Sequence, residues 1–352
     1  MIRDLPEKSS GFVRQRGFAC AFKSAQSWVI LSPIEQSIKE KIERIGTPLK
    51  DWDVQIFRGI LTGCNEAFIV DEQRRTEILS WCKTESERKR TDEIIRPILR
   101  GRDIKRYGYD WAGLYILALF PARHYDIEDF PAIKRHLLSY AAEALVDGGR
   151  ADLAVEPYLS QFCRAKLEQT GKAVRIGGKP VVLRRNDGKS EEQKARKKTT
   201  NKWFETQDTI AYWDDFSKPK IVWAELVRTG NAFVADDNGF MVGNTGYVLT
   251  TSDNPRRTLP HLLGILNSKV MLYYLDQIST KMDVTGWRWL RQHVELLPIA
   301  PLCHGRELEK LVVSTTSRTQ ASNKVRLDDL VANAYDLSTD EMNYIRKKTG
   351  DF

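Results

Sequence analysis

Short runs of β-branched and aromatic residues recur between longer amphipathic stretches. That alternation constrains the fold more than any other feature of the chain. The runs are Val54–Phe57, Ala67–Val70, Leu114–Leu117, Ile221–Trp223 and Tyr247–Thr250. Apolar runs this short, bounded by turn residues, read as strands, whereas helices need about ten residues or more. Helical patterns intervene over 87–97, 131–145 and 260–278, the last strongly apolar with Leu262, Leu263, Leu266, Val270 and Tyr273 as buried candidates. Two hairpins are expected. Ala173–Ile176 turns at Gly177-Gly178 into Val181–Leu183, and Phe233–Ala235 turns through Asp236–Gly239 into Phe240–Val242. The fold class that follows is α+β, a mixed α/β domain with flanking helices and a C-terminal helical segment.

The flanks carry helix signals of their own. Ser32-Pro33-Ile34-Glu35 reads as N-cap, first-turn proline and capping box. Ile34, Ile38, Ile42 and Ile45 then share one face, Lys39, Lys41 and Arg44 stand opposite, and Gly46 ends the helix. Beyond Leu297-Pro298-Ile299-Ala300-Pro301 a helix is expected over 305–323. A helical hairpin follows over 326–348, its second helix capped by Ser338 with Glu341 three residues on. The expected division is 1–50 as linker and connecting helix, 51–300 as the main domain and 301–352 as a helical spacer.

Composition narrows the class. Nine Trp and twelve Tyr in 352 residues argue for real cores and against disorder. No apolar stretch approaches a membrane span, and Met1–Pro6 begins no signal peptide, so a cytoplasmic protein without membrane association is expected. Cys20, Cys64, Cys82, Cys163 and Cys303 form no CxxC pair, which fits reduced core thiols rather than disulfides or zinc. His124, His136, His261, His293 and His304 show no metal or triad spacing, so no metal ligand is assigned.

Motifs for chemistry are missing. There is no glycine-rich cofactor loop and no N/D-P-P-Y/F tetrapeptide; Asp253-Asn254-Pro255 lacks the second proline and the aromatic residue. Neither GxxxxGK[ST] nor GxGxxG occurs. Glu192-Gln193-Lys194, with Asp187 upstream, has the spacing of a metal-dependent nuclease. It lies, however, in a polar stretch with no strand expected to hold it. No catalytic residue is assigned.

The net charge of +8 matters through its placement. In Arg96–Tyr107, Arg100, Arg102, Lys105 and Arg106 alternate with the anchors Ile98, Leu99 and Ile104 around Gly101. Those cations either face phosphates or, as with Arg102 and Asp103, pair locally and shape the turn. A second cluster holds Arg184, Arg185, Lys189, Lys194, Arg196, Lys197, Lys198 and Lys202, followed by Trp203 and Phe204. Cations beside aromatics suit phosphate neutralisation and stacking, and Arg184 and Arg185 at a strand end suit base edges. The alternative is a solvated loop. A third group is Trp287-Arg288-Trp289, where Arg288 is a contact candidate and the tryptophans suit a core.

Five segments occur in order: Arg58–Ile69, Pro97–Tyr107, Lys220–Leu226, Asn244–Tyr247 and Leu263–Lys269. Together they resemble the C-terminal specificity region of TaqI-like adenine DNA methyltransferases and type IIG restriction-modification enzymes, from about Trp28 to Lys348. The resemblance implies a target-recognition domain that grips double-stranded DNA opposite an N6-adenine methyltransferase domain. In that family the methyltransferase, and sometimes a nuclease, precede the region, and here the chain is expected to begin where the methyltransferase would end. The C-terminal helices resemble spacer helices of type I specificity subunits. S-adenosylmethionine, and Mg if a nuclease is present, would then belong to those catalytic parts, with no cofactor in this chain. Phosphate positioning is expected from Arg100, Lys105, Arg106, Lys197 and Lys198. Two other readings stand beside this one: a nuclease built on Asp187, Glu192 and Lys194, and an interaction module docking a catalytic subunit through its terminal helices.

Overall fold

The capping residues of the N-terminal flank set the first helix, α1 (Pro33–Ile45): the Ser32 N–H donates to the Glu35 carboxylate at 2.8 Å. Ile38 and Ile42 on its inner face are fully buried. The computed structural model describes residues 31–140, 155–184, 190–228, 230–279, 286–302, 306–315 and 321–350.

After α1 the chain forms β1 (Val54–Arg58), β2 (Ile69–Asp71), α2 (Glu72–Ser80), α3 (Glu85–Ile94), β3 (Ile95–Leu99), β4 (Leu114–Leu117), α4 (Pro131–Leu137) and α5 (Val155–Leu167). It continues through β5 (Lys220–Ala224), β6 (Phe233–Asp236), β7 (Met241–Val242) and β8 (Gly246–Thr251). Helices α6 (Pro255–Leu266), α7 (Lys269–Ile278), α8 (Glu307–Val313), α9 (Ala321–Ala334) and α10 (Thr339–Thr349) complete it. The class is α+β.

One sheet has the order β6-β5-β8-β1 and is antiparallel throughout. Strands β5 and β8 are buried at every position, because α6 covers one face of the sheet and the rest of the core closes the other. Trp223 sits at the centre, opposite Phe233 and Tyr247 in register and stacked against both rings. Its indole N–H donates to the Trp289 carbonyl at 2.8 Å, and Trp289 is core, as expected of it. Lys220 enters the same sheet fully buried, and it is tolerated because Asp236, equally buried, lies 2.5 Å away.

A second sheet has the order β7-β3-β4-β2, with β7 parallel to β3. This corrects one expected hairpin: Phe233–Asp236 and Met241–Val242 do not pair with each other. Asp236 accepts the N–H groups of Asn238 and Phe240, and the turn it builds sends the chain from one sheet to the other. The hairpin at Gly177-Gly178 does form; both glycines have positive φ, and Val181 N–H bonds back to Val174 O.

Other boundaries move for local reasons. Residues Asn65–Phe68 form a helical turn, leaving only Ile69–Asp71 as strand, because Thr62 and Asn65 bond locally. Helix α3 stops at Ile94, ahead of Arg96-Pro97, where the residue before proline is pushed to extended backbone. The apolar stretch 260–278 is two helices, since Ser268 caps α7 and Asn267 is drawn off to bond the backbone of Phe233. The polar stretch after Arg184 does contain a strand, Ser190–Glu192, paired with Val182–Arg184. Residues 141–145 and 316–320 of two expected helices lie outside the described residues.

A single hydrophobic cluster runs from Ile38 through Trp223 to Ile345, so the terminal helices share the core of the sheets. Thr47–Pro48 pairs with Pro298–Ile299, and α10 docks on α1, where Glu341 receives Ser37 and Lys41. A small satellite core of Phe162, Cys163, Val174, Ile176, Val181 and Ala195 supports the hairpins that follow α5. Cys64, Cys82 and Cys163 form no disulfide among the described residues, and the first and last are buried. No helix among the described residues is long and apolar enough to cross a membrane.

Candidate nucleic-acid interface

Four of the quoted segments meet at one point, and the meeting explains their glycines. A Cβ on Gly59 would fall 2.0 Å from Gly243 O, and one on Gly101 would fall 2.6 Å from Thr245 O. The Glu225 N–H also donates to Thr245 O at 2.9 Å. Backbones this close leave no room for a side chain, so these motifs are structural before they are functional. They place Arg102 and Lys105 beside the segment that follows β5.

The result is a cleft of about 700 Å³. Arg102, Lys105 and Arg106 line one side, Ala224, Leu226, Val227, Arg228, Asn231 and Ala232 the other, and Lys324 reaches in from α9. Arg102, Lys105 and Arg228 are exposed and Lys324 is half-buried. Asp110 is the one acidic residue on the lining among the described residues. Lys105 Nζ donates to Arg102 O at 2.8 Å, which leaves its charge unneutralised. Arg106 lies deeper, only 13% exposed, and 3.6 Å from the buried Asp328 of α9. Its charge is therefore offset, which corrects its expected role as a phosphate contact. Burial also pushes the Asp328 carboxyl pKa above its ordinary value, against the pull of Arg106.

Arg100 is corrected too. Its guanidinium donates to both oxygens of Asp103, at 3.0 and 2.7 Å, and the same carboxylate accepts the Arg100 N–H. The pairing that shapes this turn is thus Arg100 with Asp103, and Arg102 stays free of it.

Arg196 departs furthest from expectation. It is 4% exposed, donates to Glu205 O at 2.8 Å and to Thr62 O at 2.7 Å, and lies over the Phe68 ring. Burial pulls its pKa down to about 10. The side chain pins the loop from 196 to 205 onto the core, so it is no surface contact. Lys197 and Lys198 follow it exposed, while Lys202 Nζ reaches Tyr125 O and the Phe204 ring. These lysines do not line the cleft that holds Arg102 and Lys105. The two basic clusters of the sequence are therefore separate patches rather than one cavity.

Arg288 stands at the edge of the cleft, on a strand pairing with Leu226, and donates to Glu225 at 3.3 Å. Glu225 also faces Arg58 at 3.9 Å. Arg184 is the last residue of its strand, and its side chain, like Arg185, Asp187 and Lys189 entirely, lies outside the described residues. Glu192 and Lys194 are exposed.

Sequence reasoning missed Arg228, a lone cation with no basic neighbour to flag it, and Lys324, which has only Arg326 close by in a helix read as spacer. It also passed over Arg256, Arg257, Arg306 and Lys310, which line a second pocket.

Residues 183–299 match the model of the TaqI-like C-terminal specificity domain. Among solved structures, the type IIL restriction-modification enzyme MmeI in complex with DNA is similar at 10% identity and TM-score 0.44, over 86% of this chain and 36% of that one. The type IIG restriction endonuclease BpuSI is similar at 14% identity and TM-score 0.42, over 90% of this chain and 32% of that one. The chain spans about a third of the length of these two enzymes.

Proposed function

We propose that the chain reads DNA sequence for a restriction-modification system. One observation carries the reading: cations from three separate segments, at Arg102 and Lys105, at Arg228 and at Lys324, meet in a cleft whose far wall, with Ala224, Leu226 and Asn231, lies within the matched residues 183–299. Clustered, unneutralised cations on a rigid wall suit the phosphates of a duplex. The sheet beneath holds them in place, as positioning along a groove requires.

The finer statements of the proposal concern what lies around this region. A methyltransferase acting on adenine N6 would share the work, holding S-adenosylmethionine, and a nuclease with Mg would accompany it where cleavage occurs. Residues 51–300 would form the reading domain, with 1–50 and 301–352 as the connecting and spacer segments. Base reading would fall to Arg184 or Arg185, and backbone positioning to the cleft together with Lys197 and Lys198.

Enrichment of duplexes from a randomised pool by the full chain tests the proposal. A short preferred motif is expected among the retained molecules. Retention that ignores sequence, or no retention, refutes it.

A further inference from the structure

A pocket of about 470 Å³ opens where helix α6 begins, against the start of α8. Four cations line it: Arg256, Arg257, Arg306 and Lys310. Arg256, Arg306 and Lys310 are exposed, and Arg257 is half-buried. None of the four has a carboxylate within ion-pair distance among the described residues. The Arg257 Nε is shielded from solvent and has no acceptor. A desolvated donor left without a partner is costly, so an acceptor brought into the pocket would be favoured there.

Glu309 is the acid on this lining, with Oε1 3.9 Å from His261 Nδ1, and the four cations outnumber it. The remaining field in the pocket is positive. Four like charges gathered in one concavity repel one another, and an anion with several oxygens relieves that repulsion. Guanidinium groups in a fork geometry favour phosphate in particular.

The pocket is distinct from the cleft. Strand β8 joins them, with Gly246 opposite Ala224 at the cleft end and Thr251 leading to Asn254 at the other. Six residues of strand span about 17–20 Å. None of the four residues belongs to the basic runs that carry the DNA reading.

We propose that this pocket binds a phosphate group, carried either by a free phosphate compound or by the backbone of a bound duplex. Two titrations of the full chain test it, one with inorganic pyrophosphate and one with a DNA duplex over a range of salt. Both are repeated on Arg256→Ala/Arg306→Ala and on Arg256→Lys/Arg306→Lys. The replaced side chains are exposed, and an unchanged melting temperature without added phosphate checks that the fold is kept. If the pocket takes a free phosphate, the wild type binds pyrophosphate, the alanine variant binds at least tenfold more weakly, and the lysine variant recovers much of the loss. If it takes duplex phosphates, pyrophosphate binding is absent and the slope of log K against log salt falls by about 2 in the alanine variant. A variant that matches wild type in both titrations overturns the proposal. Arg102→Ala/Lys105→Ala, measured alongside, reads out the cleft alone, so failure there counts against DNA reading and leaves the phosphate pocket standing.

Discussion

The Gly101 N–H donates to the Thr245 hydroxyl at 2.9 Å, joining the turn that carries Arg102 to the loop that precedes β8. The contact sets how the basic turn sits against β5. Gly101→Ala places a methyl 2.6 Å from Thr245 O, and neither backbone can yield without disturbing its sheet. Overpacking of this kind costs about 1–3 kcal/mol. Urea unfolding of Gly101→Ala is expected to give a midpoint lowered accordingly. An unchanged midpoint would mean that the junction is slack.

Arg196 ties the loop of Lys197, Lys198 and Lys202 to Thr62, so its loss should loosen that loop before it affects anything else. Arg196→Ala leaves buried carbonyls without donors, a loss of about 3 kcal/mol. Arg196→Lys is expected to recover little, since an ammonium cannot reach two divergent carbonyls in the same plane. Limited trypsin digestion should cut after Lys197, Lys198 or Lys202 faster in both variants than in wild type. Equal rates would contradict the pinning role.

Two buried groups set separate acid transitions. Burial pulls His136 from its ordinary 6.5 down to about 4 despite the hydrogen bond its Nε2 donates to Ala67 O. A depressed histidine pKa means that protonation favours the unfolded chain. Its contribution is therefore complete above pH 6.5 and lost as pH falls toward 4, by about 3 kcal/mol at pH 4. Glu341 behaves as a depressed carboxylate. Burial alone would raise its pKa, but hydrogen bonds from Lys41, the Ser338 N–H and Ser37 hold it at about 2. The stability it contributes is present above about pH 4.5 and lost between there and 2. Thermal melts across pH should show both steps. His136→Gln is expected to flatten the first, and Glu341→Gln the second. A variant that retains its step assigns that step to another group.

Much of this architecture was legible in the residues. Ser32 with Glu35 and Ser338 with Glu341 mark helix starts through local capping chemistry, which sequence spacing displays directly. Strands β1, β4, β5 and β8 stand out because their apolar runs are short and bounded. What sequence could not carry was long-range pairing. Phe233–Asp236 and Met241–Val242 looked like partners because they are neighbours in the chain, yet their hydrogen bonds go to different sheets.

The candidate interface was legible only in part, for the same reason. Arg102 and Lys105 were found as members of a basic run, whereas Arg100 and Arg106 share that run and are neutralised by Asp103 and Asp328. Arg196 sits among surface lysines in sequence and in the core in space. A charge run names the residues that are available; which of them meet solvent depends on acids and carbonyls far away in the chain. Arg228 carried no local signal, and Lys324 only that of a single basic neighbour, Arg326.

The most direct measurement is the salt dependence of duplex binding by wild type and by a variant with Arg102, Lys105, Arg228 and Lys324 all replaced by alanine. Each phosphate contact contributes about 0.9 to the slope of log K against log salt, so the variant is expected to lose roughly three to four units of slope and to weaken on all sequences alike. Wild-type affinity and slope in the variant, with an intact fold, would contradict the assignment of this cleft to DNA.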